Sequence, residues 1–97
     1  LQYFNALRER AYGSSAGNVA SLSLDLILDE RARELCWEGH RRTDLIRYGR
    51  FTTAAYLWPW KGGVPEGVSR PQHFDIFPIP ASDLGANPNL EQNDPNY

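Results

Sequence analysis

Methionine is absent from this 97-residue chain, and cysteine occurs once, at Cys36. A lone thiol allows no internal disulfide, and its expected place is a small, semi-buried hydrophobe on a helix. The chain opens LQYFN, so a processed product or a piece of something longer is expected. No apolar run approaches the roughly 20 residues that span a bilayer, and the first residues lack the basic, apolar, small-residue order of a signal peptide. Excess positive charge is missing too: a net charge of −2 gives no electrostatic footprint for nucleic acid. The zinc-protease pattern H-E-x-x-H does not occur. The hydrophobic share of 41% and charged share of 23% are those of an ordinary folded protein. A chain this short buries only about 60 to 65% of its extended surface, so its core is limited.

Two stretches carry helical periodicity. In YFNALRERAY, Tyr3, Phe4, Leu7 and Ala11 recur at helical spacing with Arg8, Glu9 and Arg10 opposite, which predicts a helix over 1–12 ended by Gly13. In SLSLDLILDE, Ser23 reads as an N-cap, Leu22 and Ile27 as a hydrophobic staple, and Asp25 as an acid facing the helix dipole. The stripe Leu24, Ile27, Leu28, Ala32 and Leu35 then leads past Gly39 to Leu45, Ile46 and Tyr48. A long helix over 23–48, bent at Gly39 or split there, is expected, with Gly49 as its stop. Residues 51–97 hold all seven prolines. They read as ordered loops and a polar tail, yet Phe74, Ile76, Phe77, Ile79 and Leu84 are too apolar for disorder. The fold class is mainly α, followed by a long, irregular, proline-rich segment over 49–97 packed on a larger helical body.

Glu30, Glu34 and Glu38 rise along one face at four-residue spacing, a like-charge ladder that destabilises a helix unless cations lie close. Residues 25–50 hold six acids, six arginines and no lysine. Arginine's planar fork suits partly buried carboxylate pairs, so Glu30, Arg31, Glu34, Glu38, Arg41 and Asp44 read as a structural ion-pair network, with Arg33 and Arg42 also at pairing offsets. A glycosidase acid and nucleophile is an alternative, opposed by the arginines, which depress the pKa that a general acid needs raised. Metal ligation is another. His40 follows Glu38 by two residues where bundle sites place it three after a glutamate, so no metal and no cofactor are expected.

YLWPWKGG places Tyr56, Trp58 and Trp60 on a loop stiffened by Pro59. Such faces stack on sugar rings or on a partner protein, or they plug the loop onto its scaffold.

The runs ILDERARELCWEGHRRTDLIRYGRF, FPIPASDLGANPNLEQN and YFNALRERAYG resemble the C-terminal part of the SusD/RagB family, nutrient-binding outer-membrane lipoproteins of Bacteroidetes. That family's pattern, I-L-x-E-R-x-x-E-L-x-x-E-G-x-R-x-x-D-L-x-R, is met at Ile27, Leu28, Glu30, Arg31, Glu34, Leu35, Glu38, Gly39, Arg41, Asp44, Leu45 and Arg47. The loop from Thr52 to Gln72 contributes little to the likeness, and the tail QNDPNY departs from the usual Q-N-P-G-Y. The resemblance implies a tetratricopeptide-like helical scaffold that binds glycans or other nutrients without chemistry and delivers them to a SusC-type TonB-dependent transporter. It also implies a large upstream part with a lipidated cysteine, the only membrane contact, and ligand contacts from loop aromatics largely outside these motifs. A glycoside-processing enzyme and a bare helical interaction module are the competing functions.

Overall fold

The computed structural model describes all of residues 1–97 and is helical, with no β-strand. Its helices are α1 (Gln2–Tyr12), α2 (Leu24–Glu34), α3 (Arg41–Arg47) and α4 (Ala81–Ala86), with 3-10 turns at Ser15–Gly17, Lys61–Gly63 and Gln72–Asp75. The chain divides into two compact units, Leu1–Arg41 and Arg42–Tyr97. No helix is long and apolar enough to cross a membrane.

In the first unit, α1 stops where Gly13 takes φ 69°, its N–H reaching the Glu9 carbonyl at 2.8 Å. This left-handed ending is free of steric cost only for glycine. The chain turns back, and the Asn5 side-chain amide exchanges two hydrogen bonds, 3.0 and 3.1 Å, with the backbone of Val19. That amide does for one residue outside any helix what a neighbouring strand would. Ser23 then caps α2, its hydroxyl accepting from the Leu26 N–H at 3.1 Å. Leu24, expected in the apolar stripe, is 70% exposed. From the first helical position its side chain leans past the end of α2 instead of over a preceding turn.

The helix of 23–48 is two separate helices. α2 ends at Glu34, ahead of Gly39, and the connecting turn puts Trp37 at φ 67° and Gly39 at φ 77°. Two left-handed residues within three positions interrupt a right-handed helix. Cys36 is exposed in this turn, not semi-buried as its helical pattern suggested.

The second unit begins in α3 and is otherwise short turns and extended chain, so its backbone groups need partners that no ladder supplies. Side chains provide them. Lys61 is 2% exposed, and its ammonium donates to the carbonyls of Arg50 at 3.2 Å, Thr53 at 2.6 Å and Tyr56 at 2.7 Å. Farther on, the Gln92 amide exchanges hydrogen bonds of 2.8 and 3.0 Å with the backbone of Ile79. Asn93 donates to the Phe77 carbonyl at 2.6 Å. The hydroxyl of Tyr97 lies on the carbonyls of His73 and Ile76, and Asp94 closes the last turn by accepting from the Asn96 N–H at 2.9 Å. The irregular segment is ordered because amides, a phenol and one ammonium hold it.

Apolar burial is sparse. Leu28 and Leu45 are the buried hydrophobic side chains, whereas Tyr3, Leu24, Trp37 and Phe77 are exposed.

Gly67 combines φ 77° with a close backbone approach, since a Cβ there would lie 2.4 Å from the Trp58 carbonyl oxygen, while at Gly13 it would meet nothing within 4 Å. Gly13→Ala should therefore cost about 1 kcal/mol, the left-handed penalty alone. Gly67→Ala should cost about 3 kcal/mol or more, because backbone, not a flexible side chain, must move. Chemical denaturation of the two variants reads the difference.

Candidate functional site

The carboxylate ladder is resolved in the first unit through α1. Arg8 reaches the Glu30 carboxylate at 2.6 Å, and Arg33, one turn along α2, reaches the same oxygen at 2.6 Å. The Glu30 and Arg8 side chains are 10% and 13% exposed. Arg8 also donates to the Gly17 carbonyl and lies 5.2 Å from the centre of the Tyr12 ring. Glu34 pairs with Arg10 at 2.6 Å in a more open setting. Burial by itself would raise the pKa of Glu30; the hydrogen bond and charge of Arg33, with the charge and hydrogen bond of Arg8, outweigh it and hold the carboxyl below its ordinary value.

The expected members of the network therefore have different roles. Glu30 and Glu34 are bridged to α1, and Arg8 faces inward although the helical pattern put it on the polar side. Glu38 stands exposed in the turn after α2. Arg41 donates to the Leu28 carbonyl at 2.8 Å, Asp44 is buried at 3% exposure, and Arg31 is half-buried. Arg42, assigned to the ladder by its offset, instead donates to the carbonyls of Phe74 at 2.9 Å and Asp75 at 3.2 Å in the second unit.

There Arg42 enters a ring-lined cavity of about 290 Å³. Its guanidinium lies 3.8 Å from the centre of the Phe77 ring and 5.0 Å from that of Phe51. Phe51 stacks on Trp58 with centroids 6.5 Å apart and planes 27° apart. The Lys61 ammonium sits 4.6 Å from the Trp58 ring, and burial lowers its pKa. Arg70 covers Phe74 at 4.9 Å, and Tyr97 completes the wall. The three loop aromatics are thus separated by role. Trp58 lines the cavity, Tyr56 leans on it at 6.0 Å, and Trp60, held at φ 69°, projects outward with 67% exposure. Lys61 and Arg70 went unnoticed in the sequence. The one available signal was that Lys61 is the chain's sole lysine, set among tryptophans and glycines.

The SusD family model matches residues 1–97. The chain is 44% identical over 90 residues to the starch-binding protein SusD of Bacteroides thetaiotaomicron, an alignment covering 93% of the chain and 16% of that protein. It is 36% identical over 99 residues to the SusD-like protein P25 of Formosa agariphila, covering 97% of the chain and 19% of that protein. The chain thus spans less than a fifth of the length of these relatives.

Removing Glu30 strands Arg8 in a nearly dry setting. Glu30→Ala should cost about 2 to 3 kcal/mol, whereas Glu38→Ala, at an exposed site, should stay within about 0.5 kcal/mol. The folded pKa of Glu30 is depressed, so its stabilisation is complete above the ordinary value of 4.5 and is lost as pH falls from there through the folded pKa. Melting temperatures from neutral pH into the acid range should show a shallower decline for Glu30→Gln than for the parent.

Proposed function

The chain belongs to the SusD family, and from that premise we propose that it is a scaffold portion of a surface protein that binds nutrient glycan for a SusC-type TonB-dependent transporter. The match along residues 1–97 to a family that includes a starch-binding protein is the observation that carries this reading. The setting is the outer membrane. The helices belong to a tetratricopeptide-like array. The exposed Tyr3 and Leu24 on α1 and α2 support that view, because exposed apolar residues on helices are the contact surfaces of stacked helix pairs. The irregular 49–97 segment supplies loops, and its Tyr56, Trp58 and Trp60 provide ring faces for sugar. Trp60 supplies the open face and Trp58 the wall of the cavity.

The hydrolase alternative is disfavoured by charge. Glu30 is held ionised by two arginines, the opposite of the raised pKa that protonates a leaving group. Glu34 is bridged to Arg10.

Calorimetric titration of the intact protein with a panel of oligosaccharides should show saturable binding without release of reducing ends. Trp60→Ala should weaken it three- to tenfold, about the worth of one stacked ring, with the melting temperature held. Undiminished affinity after alanine at both Trp58 and Trp60 would remove the loop from the site. New reducing ends would replace binding with hydrolysis.

A further inference from the structure

We propose that the cavity behind Trp58 receives a sugar residue bearing a carboxylate, so that the glycan held is an acidic, uronate-containing one. The inference rests on the glycan-binding reading and adds its charge. Arg42, Lys61 and Arg70 all line the cavity, and none of its lining residues is an acid. The nearest carboxylate in sequence, Asp75, lines an adjoining recess that Arg70 also borders, and there its Oδ2 accepts from the Thr52 hydroxyl at 3.3 Å.

The three cations are not equivalent. The Lys61 ammonium is spent on three carbonyls, and Arg42 donates to two. Both are fixed in place by carbonyl dipoles, which bring no opposite charge to the cavity. Arg70 is exposed and rests on the Phe74 ring, while its backbone N–H is anchored to the Thr52 carbonyl at 2.7 Å. Its planar fork is thereby positioned at the cavity to grip a carboxylate by two bonds. Phe51, Trp58 and Phe74 give the apolar faces a pyranose ring requires, and about 290 Å³ is room for one or two sugar residues. A neutral sugar would leave the positive field unanswered; a uronate meets both rings and charge.

Calorimetry on the intact protein with trigalacturonate and with neutral trigalactose, at low and at moderate salt, tests this. Trigalacturonate should bind at least tenfold tighter, with the preference shrinking as salt rises. Arg70→Gln, at an exposed position that leaves the fold intact, should lower trigalacturonate affinity about tenfold, and Arg70→Lys should restore part of it. Equal affinity for the two trisaccharides, or an unchanged affinity for trigalacturonate in Arg70→Gln, overturns the proposal. If neutral glycans bind and trigalacturonate does not, the acidic assignment fails while the nutrient-binding reading stands. If neither trisaccharide binds while another oligosaccharide of the panel does, the acidic assignment fails alone; if no glycan binds, both fail.

Discussion

Backbone carbonyls outnumber the regular structure available to satisfy them in the second unit, and that shortage organises it. From Phe51 to Pro80 the chain forms no strand and only single 3-10 turns, and each carbonyl buried without a donor costs about 1 to 3 kcal/mol. Lys61 gathers the carbonyls of Arg50, Thr53 and Tyr56 onto one ammonium, and Arg42 gathers those of Phe74 and Asp75. Rings then pack against the cations, Trp58 on Lys61 and Phe51 with Phe77 on Arg42. Charge, ring and loop conformation are therefore one arrangement, and the aromatic cavity is its consequence.

The first unit solves a different problem with the same residue type. Its carboxylates repel along α2, and α1 brings arginines across to them. Arg8 meets a carboxylate, a carbonyl and a ring at once, a use that the planar five-donor guanidinium on a long stem suits. Glu30 thereby becomes a fixed anion whose role is to join two helices. Its neighbour Glu34, with an exposed partner, contributes less, since salt and water screen such pairs.

Much of the helical part was legible because it is local. Ser23 and Gly13 mark helix ends by backbone hydrogen bonding within a turn, and such signals need no tertiary knowledge. The division near Gly39 was among the readings the sequence offered, but the stop at Glu34 was not legible, because Trp37 is an unremarkable helix residue by propensity and takes a left-handed conformation only in context. Arg8 was misplaced for a related reason: hydropathy assigns every arginine to water, whereas a nearly buried carboxylate on another helix draws this one inward. In the aromatic loop, the sequence suggested three rings acting alike. Lys61 decides otherwise by pulling the chain around itself, which turns Trp58 inward and leaves Trp60 outside.

The molecule also contains the neutral solution to the same shortage. Gln92 satisfies Ile79 and Asn5 satisfies Val19 through side-chain amides that carry no charge. An amide offers its donor and acceptor in one plane, which suits the N–H and C=O of a single residue. The carbonyls of Arg50, Thr53 and Tyr56 come from three places in a tight loop and present no N–H in return. A tetrahedral, all-donor ammonium, with three donors and no acceptor, answers that geometry. Positive charge in the cavity wall therefore follows from the shape of the loop. Because those carbonyls are dipoles and not anions, the charge is oriented and satisfied without being cancelled.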